Sequence, residues 1–328
     1  MTEQRPMLPR RALLGAALAL PAWPALAQGE WPNRPIRIIV AQPPGGNLDI
    51  LVRAIAEGLR GELGQNVIVE NRPGGNSVIG LEACAQAAPD GATFCAVNIE
   101  NMATVPHTEP QLYARYASLR PVTQLATAPS ILVAHPSVPR GNLREAMAWA
   151  RGREGLNYGS SGVGSAQQLL YEWLNAREGT RIEHVPFRGI ADAIRETVGG
   201  RTQFSYGAMA TTVPHIRAGR LHALAILGAE RHPELPDVPS MRELGYDFPY
   251  GGAWWGLCAP GGLPDAIAER MAGAVRAVVT NAEFRARMLD PNFFYGVGSR
   301  PAEFAAMIAR ERAAGAELVR LAGIEPAR

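Results

Sequence analysis

The sequence contains no lysine; all 32 of its basic side chains are arginine. That excludes a Schiff-base lysine, a lysine general base and the lysine of a phosphate-binding P-loop. Cysteine is scarce, with three residues: Cys84, Cys95 and Cys258. Two arrangements suit them: a Cys84–Cys95 pair across a helix-turn-strand unit with Cys258 free, or three reduced thiols buried as small hydrophobes. The six histidines, His107, His135, His184, His215, His222 and His232, show neither a helical pair nor the clustered spacing of a metal site. The acidic residues form no obvious catalytic pair. Internal repeats, low-complexity tracts and apolar runs long enough to span a bilayer are all lacking.

What is present bounds the class. The 328 residues suffice for two domains, and a hydrophobic share of 47% supports a substantial core. Arg5, Arg10 and Arg11 precede the apolar run Ala12 to Leu20, and Ala25-Leu26-Ala27 offers a small-x-small cleavage site. Residues 1–27 therefore read as an export signal, with a periplasmic destination and a mature N-terminus at Gln28. Arg10-Arg11-Ala12-Leu13-Leu14 fits a twin-arginine signal, and a general secretory signal with a chance arginine pair fits equally. Removing this segment takes three arginines from 32 and one glutamate from 30, leaving 29 of each sign. A neutral chain gives no reason to expect nucleic acid or an anionic membrane surface as partner.

Short apolar runs alternate with amphipathic segments almost throughout, which predicts an α/β fold. Strands are expected at Ile36–Ala41, Val67–Val69, Thr93–Val97, Ile131–Ala134, Leu156–Tyr158, Ile182–Val185, Phe204–Tyr206, Leu221–Leu227 and Trp254–Ala259. Helices are expected at Leu48–Leu63 and Val78–Ala88, and after Asn142, which Glu145 completes as a capping box. Three more close the chain, starting at Pro264, after Asn281 and after Ser299. The helix-free stretch Leu119–His135 reads as a crossover between domains and Gly251–Ala259 as the return. Domain 1 is then residues 28–127 plus 254–328, and domain 2 is 128–253.

Two turns stand out. Gln42-Pro43-Pro44-Gly45-Gly46-Asn47-Leu48-Asp49 follows the first strand and opens a helix, so it aims free N–H groups and a helix dipole at one point. Gly159-Ser160-Ser161-Gly162-Val163-Gly164-Ser165 does the same further on. This second loop nearly matches a P-loop, but Ser165 stands where lysine is required. It also hints at a nucleophile elbow around Ser161, with Val163 in place of the second glycine. Asp49 reads either as a first-turn acid complementing the dipole or as a group orienting water or a ligand. Ser160 and Ser161 read either as turn and capping residues or as ligand donors.

The run Trp31-Pro32-x-x-Pro35-Ile36-Arg37, followed by Pro43-Pro44-Gly45-Gly46 and Asp49, resembles the start of mature Bug-type receptors, the extracytoplasmic solute-binding proteins of tripartite tricarboxylate transporters. The likeness continues through Val69-Glu70-Asn71-Arg72-Pro73-Gly74, Ala87-Ala88-Pro89-Asp90-Gly91 and Leu156-Asn157-Tyr158-Gly159-Ser160-Ser161-Gly162. It goes on through His184-Val185-Pro186-Phe187-Arg188-Gly189, Pro214-His215-Ile216-Arg217-Ala218-Gly219, Leu235-Pro236-Asp237-Val238-Pro239 and Trp255-Gly256-Leu257. It covers essentially the whole mature chain. The resemblance implies a two-domain Venus-flytrap fold, type II-like, without cofactor or metal. Such a protein works as a monomer that presents a small organic carboxylate to a membrane permease.

The resemblance places the ligand on the loop matching Gly45–Asp49 and the loop matching Ser160–Ser165. The candidate ligand-binding residues are Gly45, Gly46, Asn47, Asp49, Ser160, Ser161, Gly164, Ser165, Gln167, Phe187, Gly207 and Trp254. Trp255, Tyr206 and Met209 are further candidates for apolar walls. Gly207-Ala208 departs from the Asp-Asn that relatives often carry, which argues against a ligand with an ammonium group. Val163 replaces a common polar residue, so a more apolar pocket is expected. Two other functions suit the sequence: a receptor reporting to a two-component sensor kinase, and a serine hydrolase using Ser161.

Overall fold

The computed structural model describes residues 31–325. The expected export signal and Gln28 lie outside them. The first half begins with β1 (Ile36–Val40), whose residues are all buried except the half-buried Arg37. A Pro/Gly turn then enters α1 (Asn47–Leu63), which buries Leu48, Leu51, Val52, Ile55, Leu59 and Leu63 along one face. Gly64, in the left-handed region at φ 63°, ends it and returns its N–H to the Arg60 carbonyl. β2 (Val67–Asn71), α2 (Val78–Ala85) and β3 (Thr93–Asn98) follow. Next comes a stretch without a predicted element. Glu100–Thr104 forms a π turn that leads into α3 (Val105–Thr108) and α4 (Pro110–Tyr113).

β4 (Arg120–Ala128) and β5 (Ser130–Ala134) are separated by Pro129 alone. The second half continues through α5 (Leu143–Ala150), β6 (Asn157–Ser160), α6 (Ala166–Glu178), β7 (Glu183–Pro186), α7 (Ile190–Val198), β8 (Phe204–Ala208), α8 (Met209–Arg217) and β9 (His222–Ile226). The capping box on α5 forms: Asn142 N–H donates to Glu145 at 2.8 Å and Glu145 N–H to Asn142 Oδ1 at 3.2 Å. The chain returns as β10 (Ala253–Ala259), α9 (Asp265–Thr280), α10 (Ala282–Phe284), β11 (Tyr295–Gly296) and α11 (Pro301–Leu321). Pro264 caps α9 rather than opening it. The expected full helix after Asn281 is a single turn. It passes into a π turn and then a 3-10 turn containing Pro291, which cannot donate to a continuing helix.

Two mixed sheets result. The first runs β11-β4-β10-β3-β1-β2 and the second β7-β6-β8-β5-β9. In the first, β1 lies parallel to β2 and β3, while β10 is antiparallel to β3 and β4. In the second, β6 is parallel to β7 and β8, and β5 is antiparallel to β8 and β9. The passage between the sheets is doubled, because Ala253 pairs with Ala128 where the two crossing strands lie side by side. Gly252, at φ 146°, sits where a Cβ would come within 2.8 Å of the Ala128 carbonyl. No described helix is long and apolar enough to cross a membrane. The three cysteines are free and buried, in accord with the second of the two arrangements.

Candidate functional site

In parallel α/β sheets, ligand sites form beyond the carboxyl ends of the strands. Here the ends of β1, β3, β6 and β8 face one another across the gap between the sheets. They enclose an inner cavity of about 160 Å³. It opens onto an outer recess of about 630 Å³. Gln42, Pro43, Glu100, Ser161, Arg188 and Gly189 form walls of both chambers.

The first loop presents backbone to the inner chamber. Gly46 precedes α1 in extended geometry, and the first helical bond runs from Ile50 N–H to the Gly46 carbonyl at 3.0 Å. The N–H groups of Asn47 and Leu48 therefore lie ahead of the helical ladder. A Cβ on Gly46 would meet nothing within 4 Å, so its surroundings are open. Asn47 is 5% exposed, and its side-chain oxygen has no partner among the described residues. Ser130 Oγ, also a cavity wall, is buried and unpaired among them as well.

Asp49 is not a cavity wall. Its carboxylate accepts from Gly45 N–H at 2.9 Å, Asn71 Nδ2 at 2.9 Å and Arg53 Nε at 3.0 Å. Burial raises its pKa, but the hydrogen bonds from Arg53, Gly45 and Asn71 outweigh it and hold the carboxyl below its ordinary 3.8. The side chain shapes the loop from behind, and its acceptor sites are occupied there. Gly45, at φ 84°, belongs to the same turn and likewise stands off the cavity.

The second loop divides its serines between two tasks. Ser160 is the last residue of β6 and is fully buried. Its hydroxyl donates to the Gly162 carbonyl at 3.0 Å, accepts from Gly162 N–H at 3.1 Å and meets His184 Nε2 at 2.5 Å. Burial lowers His184 to about 4, so the ring is neutral near pH 7. The Ser160 hydroxyl is thus buried in the loop, while the His184 ring is half-buried, and neither residue borders the two chambers. Ser161, one residue on, turns to the cavity, where its Oγ meets Glu100 Oε1 at 2.7 Å and Gln167 Oε1 at 2.9 Å. Ser161, the nucleophile of the alternative hydrolase reading, thus touches no histidine among the described residues. Ser165 caps α6 by accepting from Gln168 N–H at 3.3 Å. Gly164 matters for close approach: a Cβ there would fall 2.4 Å from Thr108 Oγ1 on the opposite half.

Of the predicted residues, Gly46, Asn47, Ser161, Gln167, Gly207 and Trp254 are brought together around the inner chamber. Phe187 lies on the outer recess. Gly45, Asp49, Ser160, Gly164 and Ser165 support these loops without facing either chamber. Met209, expected as a wall, is in the core beside Ile131 and Val133. Trp255 and Tyr206 are walls of the inner chamber, as expected.

Sequence reasoning missed Glu100. It lies just past the end of β3, and its Oε2 accepts from Asn98 Nδ2 at 2.8 Å. Burial raises its carboxyl above the ordinary 4.5, and its contacts with Ser161 and Asn98 offset this only in part. Arg188, at the mouth, is exposed and has no ion-pair partner among the described residues. The inner chamber thus combines a mostly apolar lining, including Leu48, Ile190, Trp254 and Trp255, with the charged groups of Glu100 and Arg188. Val163 is 51% exposed and borders only the outer recess. The position of Glu100 at a strand's carboxyl end was the available signal.

A family model described as the tripartite tricarboxylate transporter family receptor matches residues 51–320. The protein BugT of Bordetella pertussis is 35% identical over 246 residues, covering 72% of this chain and 74% of its own. The periplasmic binding protein BugD superposes with a TM-score of 0.82 at 26% identity, over 90% of this chain and all of its own. Rpa4515 of R. palustris, solved with adipate, superposes at 0.84 with 27% identity, over 90% of this chain and all of its own. The fold is that of a two-domain periplasmic binding protein, and the chain belongs to the tripartite tricarboxylate transporter receptor family, whose members are solute-binding receptors.

Proposed function

We propose that the protein captures a small organic carboxylate in the inner chamber and delivers it to the membrane permease of a tripartite tricarboxylate transporter. The observation that carries this is the meeting of α1's free N–H groups with Ser161 and Gln167 around one small cavity. Backbone N–H groups at a helix start stabilise an anion without a cation in the loops. Backbone N–H groups at Asn47 and Leu48 and the Gln167 amide hold the carboxylate, with Ser161 orienting Gln167; Gly207, Trp254, Tyr206 and Ile190 pack its carbon chain. The described residues 31–127 with 254–325 form one lobe and 128–253 the other. The paired crossing strands near Ala128 and Ala253 act as the hinge.

Adipate in the related Rpa4515 supports a dicarboxylate of similar size. The protein works in the periplasm, as a monomer, and turns nothing over. The serines support this reading, since Ser161 meets a carboxyl and an amide while Ser160 is buried and borders neither chamber. Native mass spectrometry of the freshly purified protein tests the proposal. A retained mass of a small carboxylic acid is expected, and a panel of straight-chain mono- and dicarboxylates should raise the melting temperature. No retained acid and no stabilisation by any member would refute it.

A further inference from the structure

Three oxygens lie in a row between the two halves of the protein. Glu100 Oε1 is 2.7 Å from Ser161 Oγ, and Ser161 Oγ is 2.9 Å from Gln167 Oε1. Two such contacts need two hydrogens, and the serine has one. Glu100 Oε2 already accepts from Asn98 Nδ2. No arginine pairs with Glu100 among the described residues, although Arg188 borders the same chamber. A protonated Glu100 supplies the missing hydrogen: it donates to Ser161, which donates to Gln167. Rotating the Gln167 amide would also complete the chain. That alternative leaves a bare carboxylate without a cation, in the chamber that must accept a second anion, where the two charges repel strongly.

Glu100 is also the acid common to both chambers, and its contact with Ser161 ties one half of the protein to the other. We propose that Glu100 sets what the cleft accepts: it closes over the ligand as a neutral carboxylic acid, so each carboxylate is captured with one proton, and ligands bearing an ammonium group are disfavoured. This deepens the carboxylate reading above and rests on it. The proton comes from solvent onto Glu100 Oε1 as the cleft closes, and it returns to solvent on release. No other bond is made or broken.

Other charged or titratable groups share the chambers with Glu100. Arg188 from the loop before α7, Asp192 from α7 and Tyr206 from β8 line the inner chamber with it, and Glu109 between α3 and α4 lines the outer recess with it. Each can add a pH dependence of its own, so the test compares the parent with Glu100→Gln, the neutral isostere.

Calorimetry on the full protein would use adipate, straight-chain mono- and dicarboxylates, and the α-amino acids as probes. Titrations in two buffers of different ionisation enthalpy should show uptake approaching one proton per carboxylate bound. Affinity should fall by up to about tenfold per pH unit as pH rises across the proton-uptake range. Glu100→Gln should abolish both effects. Difference infrared spectra of the parent should gain the carbonyl stretch of a protonated carboxylic acid when ligand is added, and this reading does not depend on the variant folding. Binding without proton uptake, uptake unchanged in Glu100→Gln, or tighter binding of amino acids than of the matching acids would overturn the proposal. If no carboxylate binds at any pH, the carboxylate reading itself fails and the proposal falls with it.

Discussion

Replacing Gly46 with valine should separate binding from folding. Gly46 has backbone angles of −81° and 167°, which a β-branched residue adopts without strain. A Cβ there meets nothing within 4 Å. The loss of glycine's flexibility in the unfolded chain favours the variant by about 0.4–1 kcal/mol. Valine's weaker preference for a position ahead of a helix offsets this by a similar amount. Net stability should therefore stay within about 1 kcal/mol, a shift of a few degrees in melting temperature. The isopropyl group, however, stands in front of the Asn47 and Leu48 N–H groups. Each hydrogen bond to a charged carboxylate contributes roughly 1.5–3 kcal/mol. Blocking even one weakens binding about tenfold to 100-fold. Calorimetry with the acid found by mass spectrometry measures the effect. Gly61, equally open but further along the same helix, is the control site. Parental affinity in Gly46→Val would show that the ligand does not approach this backbone, and the site assignment would be wrong.

Other substitutions test the supporting residues. Asp49→Ala removes the acceptor shared by Gly45 N–H, Asn71 and Arg53, and should cost about 1–3 kcal/mol in urea unfolding. Because the folded pKa of Asp49 is depressed, its contribution is complete above its ordinary 3.8 and is lost as pH falls through the folded value. The parent and the alanine variant should therefore converge in stability under strongly acid conditions, and a constant gap would contradict the brace. Ser165→Ala should lower stability by about 1 kcal/mol with binding nearly intact, whereas a loss of affinity without a loss of stability would return Ser165 to the ligand. Gly207→Asp adds an acid to the inner chamber, where its Cβ crowds Thr211 Oγ1 and Ile190 Cγ1 at 3.0 and 3.2 Å, so these side-chain ends must shift by a few tenths of an ångström. It should weaken carboxylate binding about tenfold or more, readable by the same calorimetry. Burial raises the Cys95 and Cys258 thiols well above 9.0, so iodoacetamide should label these cysteines only after denaturation.

The alternation of strands and helices was legible because apolar runs such as Ile36–Val40 and Thr93–Asn98 are buried on both faces of their sheet. The two loops were legible for the same reason. What was hidden depends on contacts distant in sequence. The role of Asp49 is decided by Asn71, 22 residues away, and the setting of Glu100 by Ser161, 61 residues away. The stretch from Ile99 to Tyr113 has neither helical nor strand periodicity, so only its place after β3 marked its acid. The choice between Ser160 and Ser161 was within reach. Successive strand residues point to opposite sides, and a serine ending β6 must face inward if its neighbour faces the cleft.

The order of the strands also governs how the chain must fold. β10 sits between β3 and β4 in the first sheet, yet it is made only after the whole of the second sheet. Until residue 259 has emerged from the ribosome, β3 and β4 cannot be joined, and each presents an open edge to its surroundings. The nascent chain must therefore keep those two edges unpaired while an entire α/β unit is synthesised. Such long-range closure is slow. The second sheet draws all five of its strands from residues 130–226 and can assemble first. The segment that carries it starts just after Ala128 and ends just before Ala253, and those two residues pair where the first sheet closes.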